Sequence, residues 1–132
     1  MIQLLFILLT FSCTLFNPKI ENLDIAYHEN GNIKYKIQKT NNIHNGKAMY
    51  WDEIGNLINE VEYLNGVFHG DWKEYFSNGK LKYIISYENG LKNGYEFWYY
   101  ENGQKKSETL YKKGTILNKT IRWNANGELI FK

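Results

Sequence analysis

All eleven glycines of the sequence fall into three phases of a single 24-residue period. Gly31, Gly55, Gly79, Gly103 and Gly127 form one series, Gly46, Gly70 and Gly94 a second, and Gly66, Gly90 and Gly114 a third. Aromatic residues keep the same register: Tyr27, Trp51, Tyr75, Tyr99 and Trp123 are 24 apart, as are Tyr63, Tyr87 and Tyr111. A fixed period of this length marks a repeat architecture, in which each unit buries its apolar surface only against its neighbours.

The residues before the glycines say what each unit is. Eight glycines follow asparagine, at Asn30, Asn45, Asn65, Asn78, Asn89, Asn93, Asn102 and Asn126. Asn-Gly is the preferred pair of the type I′ turn, whose two central residues both need positive φ, so the pattern predicts I′ turns at these sites. Between them lie strand-like segments rich in Tyr, Trp, Phe, Ile and Val, such as 71–76 and 80–87. No stretch sustains a helical period. The expected fold is therefore all-β: an elongated single sheet of tandem 24-residue hairpins over residues 17–132, in units 22–45, 46–69, 70–93, 94–117 and 118–132. Two strands per unit give about ten antiparallel strands and a ribbon of roughly 45–50 Å. Asn22, Asn42 and Asn118 replace glycine in the first and last units. Asparagine is the next best residue for a left-handed position, and terminal repeats are expected to be atypical.

Alternation in the second strand of each unit separates two faces. Ile33, Tyr35 and Ile37, then Leu57, Val61 and Tyr63, then Leu81, Tyr83, Ile85 and Tyr87 share the apolar side. The first strands are expected to add Ile25, Tyr27, Met49, Trp51, Phe97, Tyr99, Ile121 and Trp123 to that buried side. Their other side carries Tyr50, Trp72, Phe76, Trp98 and Tyr100 among Glu74, Glu96 and Arg122. Two readings of these five rings stand: packing between partly covered faces, or an exposed aromatic band that contacts a partner.

The unit Asn-Gly-x3-Gly-x-Trp-x2-Tyr-Phe-x-Asn-Gly at residues 65–79, echoed at 89–103, resembles the variant MORN repeat of bacterial proteins. The resemblance covers roughly residues 22–132 and implies repeated hairpins forming a long curved sheet. Many bacterial proteins of this kind are classed with the YwqK family, named as the antitoxin half of a toxin–antitoxin pair. The resemblance thus implies a protein partner, with a toxin as its specific form.

The start of the chain reads as an address. Residues 1–16 carry no charged side chain and include the apolar run Ile2, Leu4, Leu5, Phe6, Ile7, Leu8 and Leu9. That run is too short to cross a bilayer but suits the core of a secretory signal. Cys13, the sole cysteine, follows Leu9-Thr10-Phe11-Ser12 and resembles the acylated cysteine of bacterial lipoproteins. An ordinary signal segment with a chance cysteine is the alternative. Either way export to the cell envelope or beyond is expected, with a lipid anchor to the membrane if Cys13 is acylated.

The sequence offers little chemistry. One cysteine excludes a disulfide framework, and 16 basic and 14 acidic side chains are spread without the concentrated basic patch that nucleic acid requires. His28, His44 and His69 keep no common repeat position, so no metal set is expected. Asp52, Glu53, Glu60 and Glu62 read as solvated charge, and Cys13 has no catalytic partner. The expectation is a non-enzymatic module without cofactor. It binds another protein sterically, in the manner of an antitoxin or immunity protein; the rival is an envelope protein that holds lipid or cell-wall material.

Overall fold

The computed structural model describes residues 20–131, and over them the chain is one antiparallel sheet without helix. The signal segment 1–16 and Cys13 lie outside the described residues. The strands are β1 (Glu21–Tyr27), β2 (Ile33–Thr40), β3 (Ile43–Trp51), β4 (Leu57–Leu64), β5 (Val67–Tyr75) and β6 (Leu81–Glu88). They continue as β7 (Leu91–Lys92), β8 (Gly94–Tyr99), β9 (Lys105–Lys112), β10 (Thr115–Ile116), β11 (Ile121–Trp123) and β12 (Leu129–Phe131). Ten of the twelve form a meander in chain order, while the short β7 and β10 pair only with β6 and β9. The difference from ten arises because strands that run unbroken at 43–51 and 67–75 are interrupted at Asn93 and at 117–120 in the later units.

Two kinds of turn close the hairpins, one along each long edge of the sheet. Along one edge the central residues both have positive φ, at Asn41-Asn42, Asn65-Gly66, Asn89-Gly90 and Lys113-Gly114. These are the I′ positions, and Gly66, Gly90 and Gly114 each donate to the preceding unit, at His44 O, Phe68 O and Lys92 O, all at 2.8 Å. Along the other edge only the glycine is left-handed. In the turn 28–32, for example, Gly31 N–H donates to His28 O (3.0 Å) and His28 N–H to Asn32 O (2.8 Å). That is a type I turn closed by a glycine bulge, repeated at 52–56, 76–80, 100–104 and 124–128. The expectation of I′ turns at all eight Asn-Gly pairs is thus corrected. It holds at two, because a three-residue loop needs one left-handed residue and not two. Asn45-Gly46 and Asn93-Gly94 sit in strand irregularities instead.

A second correction concerns the faces. Past each type I turn the second strand carries one extra residue, Lys34, Ile58, Lys82, Lys106 or Ile130, with no opposite number. Beyond that bulge Tyr35 stands opposite Tyr50, Ile37 opposite Ala48, Val61 opposite Trp72, and Tyr83 opposite Trp98. Tyr50, Trp72 and Trp98 therefore share the apolar side with Ile37, Val61 and Ile85, whereas Ile25, Tyr27, Met49, Trp51, Phe97, Tyr99, Ile121 and Trp123 go to the opposite face, and so do Ile33, Leu57 and Leu81, which precede the extra residue. One inserted residue inverts everything beyond it, since side chains alternate with period two.

Among the described residues, Ile37, Ala48, Val61, Tyr83 and Ile85 are the buried apolar ones. Tyr35, Tyr50, Tyr63, Phe68 and Trp72 pack against the cluster Ile37, Ala48 and Val61. A single-layer sheet has no second layer, so its small residues are covered sideways by large rings: Tyr63, Trp72 and Tyr87 all lie within 5.2 Å of Phe68, centroid to centroid.

Candidate functional site

Next to the type I turns, the opposite face carries a row that crosses ten strands. Tyr27 faces Ile33, Trp51 faces Leu57, Tyr75 faces Leu81, Tyr99 faces Lys105, and Trp123 faces Leu129. The bulge places these pairs opposite each other, so every unit contributes one ring and one smaller side chain at the same height. Lys105, the charged member, is paired with Glu108 at 2.7 Å and lies 4.6 Å from the Phe97 centroid and 5.3 Å from that of Trp123. Lys36 approaches Trp51 in the same way at 5.9 Å.

Three clefts open along this row, of about 340, 180 and 270 Å³. They are lined by the same three repeat positions: an amide (Asn32, Asn56, Gln104), a floor residue (Ile33, Leu57, Lys105) and a ring (Trp51, Tyr75, Trp123). A β-carbon added at Gly31, Gly55, Gly79 or Gly103 would meet nothing within 4 Å, so the turn beside each ring leaves the space open. The five turns bounding the row contain Glu29, Asp52, Glu53, Glu101 and Glu128 against a single lysine, Lys80.

Towards the middle of this face the surface becomes an ion-pair ladder. Lys73 bridges Glu60 (3.4 Å) and Asp71 (3.8 Å), Lys47 approaches Glu62 (3.7 Å), and Ser86 donates to Asp71 (2.7 Å). Burial works against the Glu60 carboxylate, but the Tyr75 hydroxyl at 2.6 Å and the Lys73 ammonium outweigh it and hold its pKa below the ordinary value. Burial and the same bond raise the Tyr75 phenol. Asp52 is held low by backbone and side-chain donors of its own turn, which outweigh desolvation.

On the apolar face, Glu96 is 8% exposed and accepts from Lys92, from Tyr83 (2.9 Å) and from Trp98 Nε1 (3.4 Å). Burial and the Glu96 bond push the Tyr83 phenol well above its ordinary pKa. Desolvation opposes the Lys92 charge, yet Glu96 holds its pKa above the usual lysine value. Among the described residues no group of three or more His, Cys, Asp or Glu converges as a metal site.

The five rings singled out from the sequence do not form one band. Tyr50, Trp72 and Trp98 are half-buried on the apolar face, and Trp72 Nε1 has no partner there. Phe76 and Tyr100 open their type I turns at the sheet edge: Phe76 lines the second cleft, and Tyr100 donates its hydroxyl to Trp123 O at 3.0 Å. Gly31, Gly55, Gly79, Gly103 and Gly127 hold the left-handed position of those turns. What sequence reasoning missed is the row itself. Its signal is present, as the 24-residue spacing of Tyr27, Trp51, Tyr75, Tyr99 and Trp123, but alternation alone puts Tyr27, Trp51, Tyr99 and Trp123 on the buried side.

A meander of near-identical hairpins with an open aromatic row defines a tandem β-hairpin repeat protein whose surface suits binding. Residues 25–38, 68–89 and 92–113 match the MORN repeat variant, and these stretches fall on hairpins of the sheet. None of the curated proteins matches the chain.

Proposed function

We propose that this chain is a non-catalytic repeat module that binds another protein, and that it neutralises that partner by steric cover, as an antitoxin or immunity protein does. One observation carries the reading. Among the aromatic residues whose burial is described, Tyr83 alone is buried; Tyr27 and Tyr95 are exposed and the other rings half-buried, which leaves part of each Tyr and Trp edge open to contact. The resemblance to YwqK-type proteins supports a toxin as the partner. Export, with Cys13 as the acylated residue, would place the encounter in the cell envelope. Capture from the native envelope fraction tests the binding, and loss of viability on deleting this chain, rescued by deleting a neighbouring toxin gene, tests the antitoxin form. Unchanged membrane fractionation of Cys13→Ala would retire the anchor.

A second reading, attachment to envelope material, is favoured by an aliphatic strip beside the I′ edge. Ile43, Leu64, Val67 and Leu91 are all exposed there. Binding of the protein to cell-wall sacculi or lipid vesicles without any protein partner would support this reading over the first.

A further inference from the structure

We infer that the aromatic row is a groove for a proline-rich segment in the polyproline II conformation, carrying a basic residue at every third position. The inference rests on the protein-binding reading above and names the chemistry of the partner. Successive rings of the row belong to strands two places apart, a spacing of about 9.6 Å. A polyproline II helix repeats every three residues, or about 9.3 Å. A segment laid across the strands therefore returns the same edge to each ring, and over the three units separating Trp51 from Trp123 the mismatch stays near 1 Å.

Three further features fit that occupant. Each of the three clefts offers one ring, one floor residue and one amide and takes one turn of the segment, while Tyr99 and Leu81 continue the row between the second and third, with Lys80 at the amide position. Proline-rich backbone has no internal hydrogen bonds and presents bare carbonyls, which need donors. Trp51 and Trp123 make no indole N–H bond within the described chain, whereas the Trp98 indole donates to Glu96. Charge selects the third edge: Lys36 and Lys105 lie over the Trp51 and Trp123 rings, whereas the turns along the rim hold five carboxylates and one lysine, and Glu29, Glu53 and Glu101 stand in no ion pair among the described residues. A basic residue every third position would run along that rim.

The test titrates the full-length protein with four tandem Arg-Pro-Pro triplets, followed by isothermal titration calorimetry, against four Arg-Gly-Ser triplets of equal charge. The proline peptide should bind at least about tenfold more tightly, and a Trp51→Ala/Trp123→Ala double variant should lose about that factor, the scale of a lost aromatic anchor. Trp51→Tyr, which restores the ring Tyr75 supplies one unit later, should keep most of the affinity and shows that the loss is not misfolding. Equal affinity for the two peptides, no binding of either, or indifference to the double variant overturns the groove. The broader reading is scored separately. A protein held from the envelope fraction equally well by the double variant would leave protein binding intact while this inference falls.

Discussion

Lys92 and Glu96, bonded to each other on the apolar face, occupy the positions that Phe68 and Trp72 hold 24 residues earlier. Phe68 packs 5.2 Å from both Trp72 and Tyr87, and Lys92 takes its place with its ammonium 4.8 Å from the Tyr111 centroid. The neighbouring positions on the other face change in the opposite sense. Asp71 and Lys73 become Tyr95 and Phe97, whose rings stack at 5.6 Å. Two adjacent units of one sheet thus exchange polarity between faces while keeping the same backbone.

The exchange makes the ion pair replaceable as a pair and not singly. Glu96→Ala leaves Lys92 without its counter-charge and Tyr83 without its acceptor, and should destabilise by about 2–3 kcal/mol, less than a fully buried pair because Lys92 keeps some solvent. Lys92→Phe combined with Glu96→Trp copies the preceding unit and should return stability to at least the parent level. Urea unfolding of Lys92→Phe, Glu96→Trp and the double change closes the cycle. A coupling near zero would mean that the two sites act independently.

The repeat and its hairpins were legible in the sequence because glycine and asparagine report local backbone conformation directly. Gly31 and its equivalents need positive φ wherever the chain is. The faces were not legible. Whether Trp51 lies with Val61 or against it depends on Ile58 standing unpaired, as its equivalents do in the other units, and nothing in an isoleucine or a lysine announces a bulge. The same gap hid the row beside the turns. The buried pair was hidden for a different reason: Lys92 and Glu96 in a strand read as solvated charge until the unit is laid over residues 68 and 72.

Raised pKa values on Tyr75, Tyr83 and Lys92 predict alkaline sensitivity. Each group holds its proton more tightly when folded, so its contribution is complete below the unfolded pKa, near 10, and is lost as pH rises beyond it. The thermal midpoint should fall from about pH 9.5 upward, and less steeply in Tyr83→Phe, which has no proton to lose. Glu60 has the opposite sign. Its lowered pKa gives stability present above the ordinary value of 4.5 and lost as pH falls, so Glu60→Gln should flatten the acid limb. Identical pH profiles for variant and parent would show that neither contact is retained in solution.

Ile54 is 80% exposed at a turn tip where the other units have Asn30, Asn78, Asn102 and Asn126. Three of those amides reach the next turn, as Asn30 to Glu53 O (2.6 Å), Asn78 to Glu101 Oε1 (3.3 Å) and Asn102 to Ala125 O (2.8 Å). Ile54→Asn should therefore add a link to the turn at 76–80 and raise stability by about 0.5–1 kcal/mol, read from the denaturation midpoint. A lowered midpoint would show that the isoleucine is held by contacts of its own.

Two glycines of positive φ should respond differently to the same change. At Gly79 an added methyl meets open space, so Gly79→Ala carries only the strain of a left-handed alanine, about 1–2 kcal/mol. At Gly46, where φ is 105°, the methyl would stand 2.2 Å from Gln38 Oε1, the atom that accepts the Lys47 N–H at 2.6 Å. The Gln38 side chain fills the place a β-carbon would take, and its amide supplies the partner that the strand irregularity denies to Lys47. Gly46→Ala must displace it and leave that N–H to water, so its cost should exceed that of Gly79→Ala by about 1 kcal/mol. Pairing it with Gln38→Ala clears the space and should recover the steric part while the hydrogen bond stays lost. Equal destabilisation at positions 46 and 79 would mean that backbone strain alone sets the cost and that the Gln38 plug contributes nothing.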